Sequence, residues 1–173
     1  MFLTNPMHAI RIILLCIASA IVYGIAHDLV TARVSIEYFT IGHPRVLQTD
    51  SPTVLAIIWG VAATWWVGLM LGVSLALTSR MGARPKLIAK SHVRPIVLLL
   101  IAMAICAAIA GIIGFNFART GTVTLIGRLA ANVPEEKHVP FIAALWAHTA
   151  SYLVGLSGGI ILCVHAWRRR RSG

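Results

Sequence analysis

Apolar residues gather in four long blocks, at 12–26, 54–77, 95–117 and 141–164, each closed by polar or charged positions. At about 1.5 Å of rise per residue, the last three blocks can each cross a hydrocarbon core of about 30 Å as an α-helix. The first block is shorter. Taken from 9 to 27 it also reaches across, because Arg11 lies near enough to its end for the guanidinium to snorkel to the headgroups. Ala18-Ser19-Ala20 has the small-x-small form of a signal-peptide cleavage site. The apolar stretch runs straight through it, however, and only one Arg precedes it, so an uncleaved span is expected. The pattern predicts an all-α, four-transmembrane-helix bundle forming one membrane domain over 1–173, with helices at about 9–27, 53–78, 95–117 and 141–166.

Two connections on one side of this bundle, 28–52 and 118–140, are longer than a compact helical hairpin needs and are expected to be structured. Residues 34–41 (VSIEYFTI) are rich in β-branched and aromatic side chains, which predicts a short strand or extended segment packed over the helix ends. In the second connection Val123, Ile126, Leu129 and Val133 recur at helical spacing and predict a short interfacial helix. Asn132 and Pro134 read as a cap and early proline for a last helix starting near Glu135, with Pro140 kinking or restarting it. Gly68-x3-Gly72 and Gly155-x3-Gly159 read as faces for close helix packing, and Trp65 and Trp66 as bundle filling.

Composition agrees with membrane residence: 58% of the chain is hydrophobic, 12% is charged and the mean hydropathy is +0.86. The net charge of +10 does not indicate nucleic acid, because long apolar stretches separate the basic residues. Their distribution sets a topology instead. Arg11, Arg80, Arg84, Lys86, Lys90, Arg94 and the Arg168–Arg171 run share one side with no acid, whereas Asp28, Glu37, Asp50, Glu135 and Glu136 all fall on the other. The positive-inside rule makes the first side cytoplasmic, with both termini there, and the long connections periplasmic in a bacterial inner membrane. The loop at 79–94 and the terminal arginines read as lipid-attracted connectors. Cys16, Cys106 and Cys163 fall within spans, so no disulfide framework is expected.

Imidazoles and carboxylates concentrate at the outer side: His27, Asp28, Glu37, His43, Glu135, Glu136, His138 and His148. Together they are a ligand set for a transition metal ion, and Glu135-x-x-His138 puts both groups on one helical face. His27, Asp28, Glu37, His43 and His138 are the candidate metal ligands, and His148 and Glu37 the candidate catalytic groups. His148 lies several residues into the fourth apolar block, where an ionisable group is costly and marks a functional candidate, with Tyr152 and Asn116 as partners within reach. A structural reading competes: His27 and Asp28 would cap a helix end, Glu37 would pair with Arg33 or Arg45, and Glu135 and Glu136 would favour the positive start of the last helix.

The stretch 27–44, HDLVTARVSIEYFTIGHP, resembles a motif of small, uncharacterised bacterial multi-spanning membrane proteins, H-D-x-V-T-x-R followed by E-Y-F-T and H-P. The resemblance implies that His27, Asp28, Thr31, Arg33, Glu37, Tyr38, Phe39, Thr40, His43 and Pro44 form one functional unit, but implies no particular reaction. Serine-hydrolase elbows, phosphate-binding loops, CxxC, HExxH and dinucleotide fingerprints are absent from the sequence. The expected function is therefore a periplasmic-face His/carboxylate site that binds a transition metal and catalyses a membrane-associated reaction. The alternative is a non-enzymatic accessory or assembly subunit of a membrane complex. Expected partners are the lipid bilayer and complex subunits or a second copy of the chain, with no nucleic acid.

Overall fold

The computed structural model describes residues 6–170. All regular structure in them is helical: α1 (Pro6–Val34), α2 (Glu37–Thr40), α3 (Pro52–Ala62), α4 (Trp65–Arg80), α5 (Lys90–Arg119), α6 (Gly127–Asn132), a 3-10 turn (Glu135–Lys137) and α7 (His138–Arg169). Four helices are long and apolar enough to cross a membrane: α1, α3 with α4 as one span, α5, and the 3-10 turn with α7.

The spans run beyond their apolar blocks. Helix α1 continues two turns past His27 to Val34, so His27 and Asp28 do not cap its end. Ser51 starts α3 by accepting the Val54 N–H, with Pro52 in the first turn where its missing N–H costs nothing. The break between α3 and α4 has a local cause, since the Thr64 hydroxyl donates to the Gly60 carbonyl and bends the chain there. The last span needs no restart at Pro140, which lies within the first turn of α7.

Residues 34–41 contain no strand. They hold the helical turn α2, because Tyr38 and Phe39 bury their rings against Phe141 and other residues of the same cluster. Burial by neighbouring helices outweighs local β-propensity here. A short helix, α6, does form in the second connection, but it takes in only Leu129 of the four spaced residues, and Asn132 ends it instead of capping the next, donating its Nδ2–H to the Arg128 carbonyl.

Two tightly packed pairs make the bundle: α1 with α3–α4, and α5 with α7. In the first pair backbones nearly touch, since a Cβ on Gly60 would lie 2.6 Å from the Ile25 backbone and one on Gly68 2.8 Å from Ile17 Cα. Gly155 and Gly159 instead receive the side chains of Met103 and Leu71. Trp65 and Trp66 do not fill the bundle, each being 47% exposed, although Trp66 also borders the cavity between the helices. One buried cluster, with Phe39, Leu55, Phe141 and Ile142, closes the end opposite the termini, and another, with Ile12, Leu75, Ile96 and Ala166, closes the end near them.

The terminal end carries a polar lock. Arg170 is 2% exposed, and its guanidinium donates to the carbonyls of Thr78, Met81, Arg84 and Pro85. It ties the end of α7 to the end of α4 and the loop beyond, satisfying carbonyls that the helix end leaves open. His92 is likewise buried and bonded to Ser79 Oγ at 3.0 Å. Arg171 lies outside the described residues.

Candidate functional site

Because α1 stays helical past residue 27, His27 and Asp28 remain inside the bundle and meet α7 there. His148 Nε2 lies 3.1 Å from Asp28 Oδ1, and His148 Nδ1 lies 3.2 Å from His27 Nε2. Asp28 and His148 are each 5% exposed, so the contacts are sheltered from water. With His148 donating its Nε2–H to Asp28 and accepting the His27 Nε2–H at Nδ1, the three groups form an Asp–His–His chain. His148 Nδ1 also lies 3.2 Å from the Ala144 carbonyl, which the other tautomer would use.

Aromatic rings hold the trio in place. Tyr38 of α2 stacks on His148 at 4.3 Å between centroids, and Tyr23 stacks on His27 at 5.7 Å, one helical turn away along α1. The Tyr23 hydroxyl in turn bonds Ser151 Oγ at 2.7 Å, joining α1 to α7 just below the imidazoles. Burial raises the pKa of the Tyr38 hydroxyl, and Tyr152 and Asp28 add to the effect, so it stays protonated over the physiological range.

One ligand atom each from His27, Asp28 and His148 lies within 4.8 Å of the others, so the group could hold a metal ion. Ligands about 2.0–2.2 Å from a common ion sit about 3.4 Å apart in tetrahedral geometry, so an ion would draw these three atoms together and take a single ring nitrogen of His148.

The other expected site residues have different partners. Glu37 accepts the Ser35 hydroxyl at 2.9 Å and pairs with Lys137 Nζ at 3.8 Å, clamping α2 to the turn before α7. It pairs with neither Arg33, which bonds the Leu29 carbonyl and Thr53, nor Arg45, which pairs with Asp50. His43 uses Nδ1 on the Tyr38 carbonyl at 2.8 Å and packs on Trp59, while His138 uses Nε2 on the Val133 carbonyl at 2.9 Å. Each imidazole secures a backbone carbonyl and stays apart from the trio. Asn116 donates to the Ile112 carbonyl of its own helix, and the Tyr152 ring stands 6.1 Å from that of His148. Sequence reasoning missed Tyr23 and Ser151; the signal was the 19, 23, 27 spacing of polar positions along α1, one face of one helix.

Below the trio lies a cavity of about 330 Å³, lined almost wholly by apolar groups of α1, α4, α5 and α7. It occupies the seam between the two helix pairs, with His27, Asp28, His148, Tyr23 and Ser151 at one end and Cys16, Leu75 and Leu162 toward the other. No protein-family model, curated protein or solved structure matches this chain. Any functional reading therefore rests on the residues themselves.

Proposed function

We propose that the chain is a membrane-embedded metal protein in which His27, Asp28 and His148 bind a transition metal ion, of the Zn²⁺ or Fe²⁺ class, and act on a membrane-resident substrate. The observation that carries this reading is the convergence of two imidazoles and one carboxylate within 4.8 Å at the head of an apolar cavity. A buried carboxylate between helices is costly unless it is paired or ligated, and a cation repays that cost. An ion so held supplies Lewis-acid activation of water or of a substrate oxygen. Asp28 contributes charge, His27 and His148 contribute nitrogen donors, Tyr38 fixes the His148 ring plane, and the cluster around Phe39 and Phe141 excludes water. The excess of basic residues at the terminal end supports an orientation with the centre near the periplasmic face of a bacterial inner membrane.

The hydrogen-bonded order Asp28, His148, His27 favours a second reading, a metal-free proton chain. Titration of the purified protein with Zn²⁺ and Fe²⁺ in mild detergent separates the two. Stoichiometric binding is expected, with affinity falling by about 10-fold or more in His27→Ala, since even supporting residues of metal sites contribute that much. Failure to bind either ion above the level of the His27→Ala variant would leave the proton chain as the reading.

A further inference from the structure

The cavity below the trio has no Lys or Arg among its lining residues, and four of those residues also reach the outside of the bundle. Trp66 and Met70 on α4 line it, and so do Tyr152 and Leu156 on α7. These four are also 47%, 62%, 51% and 60% exposed on the outside of the bundle. Each pair is an i, i+4 row, so the two rows run side by side along the spans as the edges of a lateral opening. The opening falls where the two helix pairs meet, and its level on the spans faces hydrocarbon.

We propose that the cavity takes a neutral, single-chain amphiphile with an oxygen-bearing head group, entering sideways from the bilayer between α4 and α7. The tail would lie along Ser19, Met103 and Leu71, and the head would reach His27 and His148 beside the Tyr23 and Ser151 hydroxyls. The inference rests on the metal centre proposed above for the destination of the head. Three features select this chemistry. No Lys or Arg lines the cavity to help a bound ion hold a phosphate or sulfate, and the Asp28 carboxylate already offsets part of that ion's charge, which favours a neutral head. The hydroxyls and imidazoles offer hydrogen bonds that a plain hydrocarbon would leave unused. The volume, about 330 Å³, is at the lower end of the roughly 300–1,000 Å³ range of small-molecule sites and suits one chain rather than a two-chain phospholipid.

The test is photolabelling of the protein in lipid nanodiscs with dodecanol carrying a mid-chain diazirine, mapped by mass spectrometry, with metal content measured on the same samples. Saturable labelling of cavity-lining positions such as Ser19 and Met103 is expected, suppressed several-fold by excess unlabelled dodecanol and by Ser19→Phe. Ser19→Phe fills the cavity without touching the trio, so its metal content should be unchanged. Ile109→Phe, on the lipid-facing side of α5, should not reduce labelling. Labelling that does not saturate, or that falls on Ile105 and Ile109 as heavily as on the cavity, would overturn the proposal. The wild-type competition decides this even if Ser19→Phe does not fold. Saturable cavity labelling in a protein that binds no metal would retain the amphiphile site and remove the metal centre; full metal occupancy with unsaturable labelling would do the reverse.

Discussion

Asp28 is the residue on which the site's energetics turn, because its carboxylate is 5% exposed and its hydrogen-bond partner is the His148 ring. Removing His148 leaves a buried acceptor unmatched, which costs about 3–5 kcal/mol when a buried pair is broken from one side. His148→Leu should therefore lower the thermal midpoint in detergent, and adding Asp28→Leu should recover much of the loss, since replacing both partners by apolar groups is often close to neutral. A double variant no more stable than His148→Leu alone would count against the pairing. Asp28→Asn separates stability from ligation: the amide still accepts from His148 but carries no charge. Its melting should stay near wild type while metal affinity falls by about 10-fold or more. Glu37→Gln and His138→Ala should leave metal affinity unchanged, because both side chains are occupied on loop partners instead of the trio.

At the scale of helices, close backbone contact and one buried guanidinium hold the bundle together. Gly60→Val should loosen the α1 crossing, as its Cβ would meet the Ile25 backbone, which cannot swing aside as a side chain can. A loss of about 1–3 kcal/mol is expected from overpacking, read as a lowered melting temperature. Arg170→Ala strips four carbonyls of their donor at the terminal end and should destabilise by about 3 kcal/mol, with Arg170→Lys recovering little because an ammonium cannot span them. Recovery by lysine would show that charge, not the fork of donors, matters there. The middles of the spans were legible as apolar blocks, but their ends were not. His27, Asp28 and Thr31 look like the exit of α1 from the bilayer, yet α2 and α7 shelter them, so the helix continues. Arg170 reads as one more lipid-attracted cation in an arginine run until the carbonyls it faces are known.

Across the described residues, the four spans put the two long connections at one end and residues 6 and 170 at the other. With Cys16, Cys106 and Cys163 replaced, a cysteine at Gln48 or Thr122 should react with an impermeant thiol reagent in intact cells, and one at Ala83 only after the membrane is opened. Reaction at Ala83 in intact cells would invert the orientation. The candidate site was half legible in the sequence. His148 stands out as an ionisable group inside an apolar block, whereas His27 and Asp28 read as outer-side groups where the first block ends. Glu37, His43 and His138 stood out merely by lying at the same end; their partners are backbone carbonyls and nearby side chains that no residue pattern reveals. The cavity was not legible at all, since it arises where two helix pairs meet.

X-ray absorption at the metal edge of the loaded protein tests the central claim most directly. Two imidazole nitrogens and a carboxylate oxygen at about 2.0–2.2 Å are expected around one ion, with one imidazole lost in His27→Ala. A protein that retains no ion to measure, a first shell containing sulfur, or a spectrum unchanged by His27→Ala would contradict the assignment of His27, Asp28 and His148 as the metal centre.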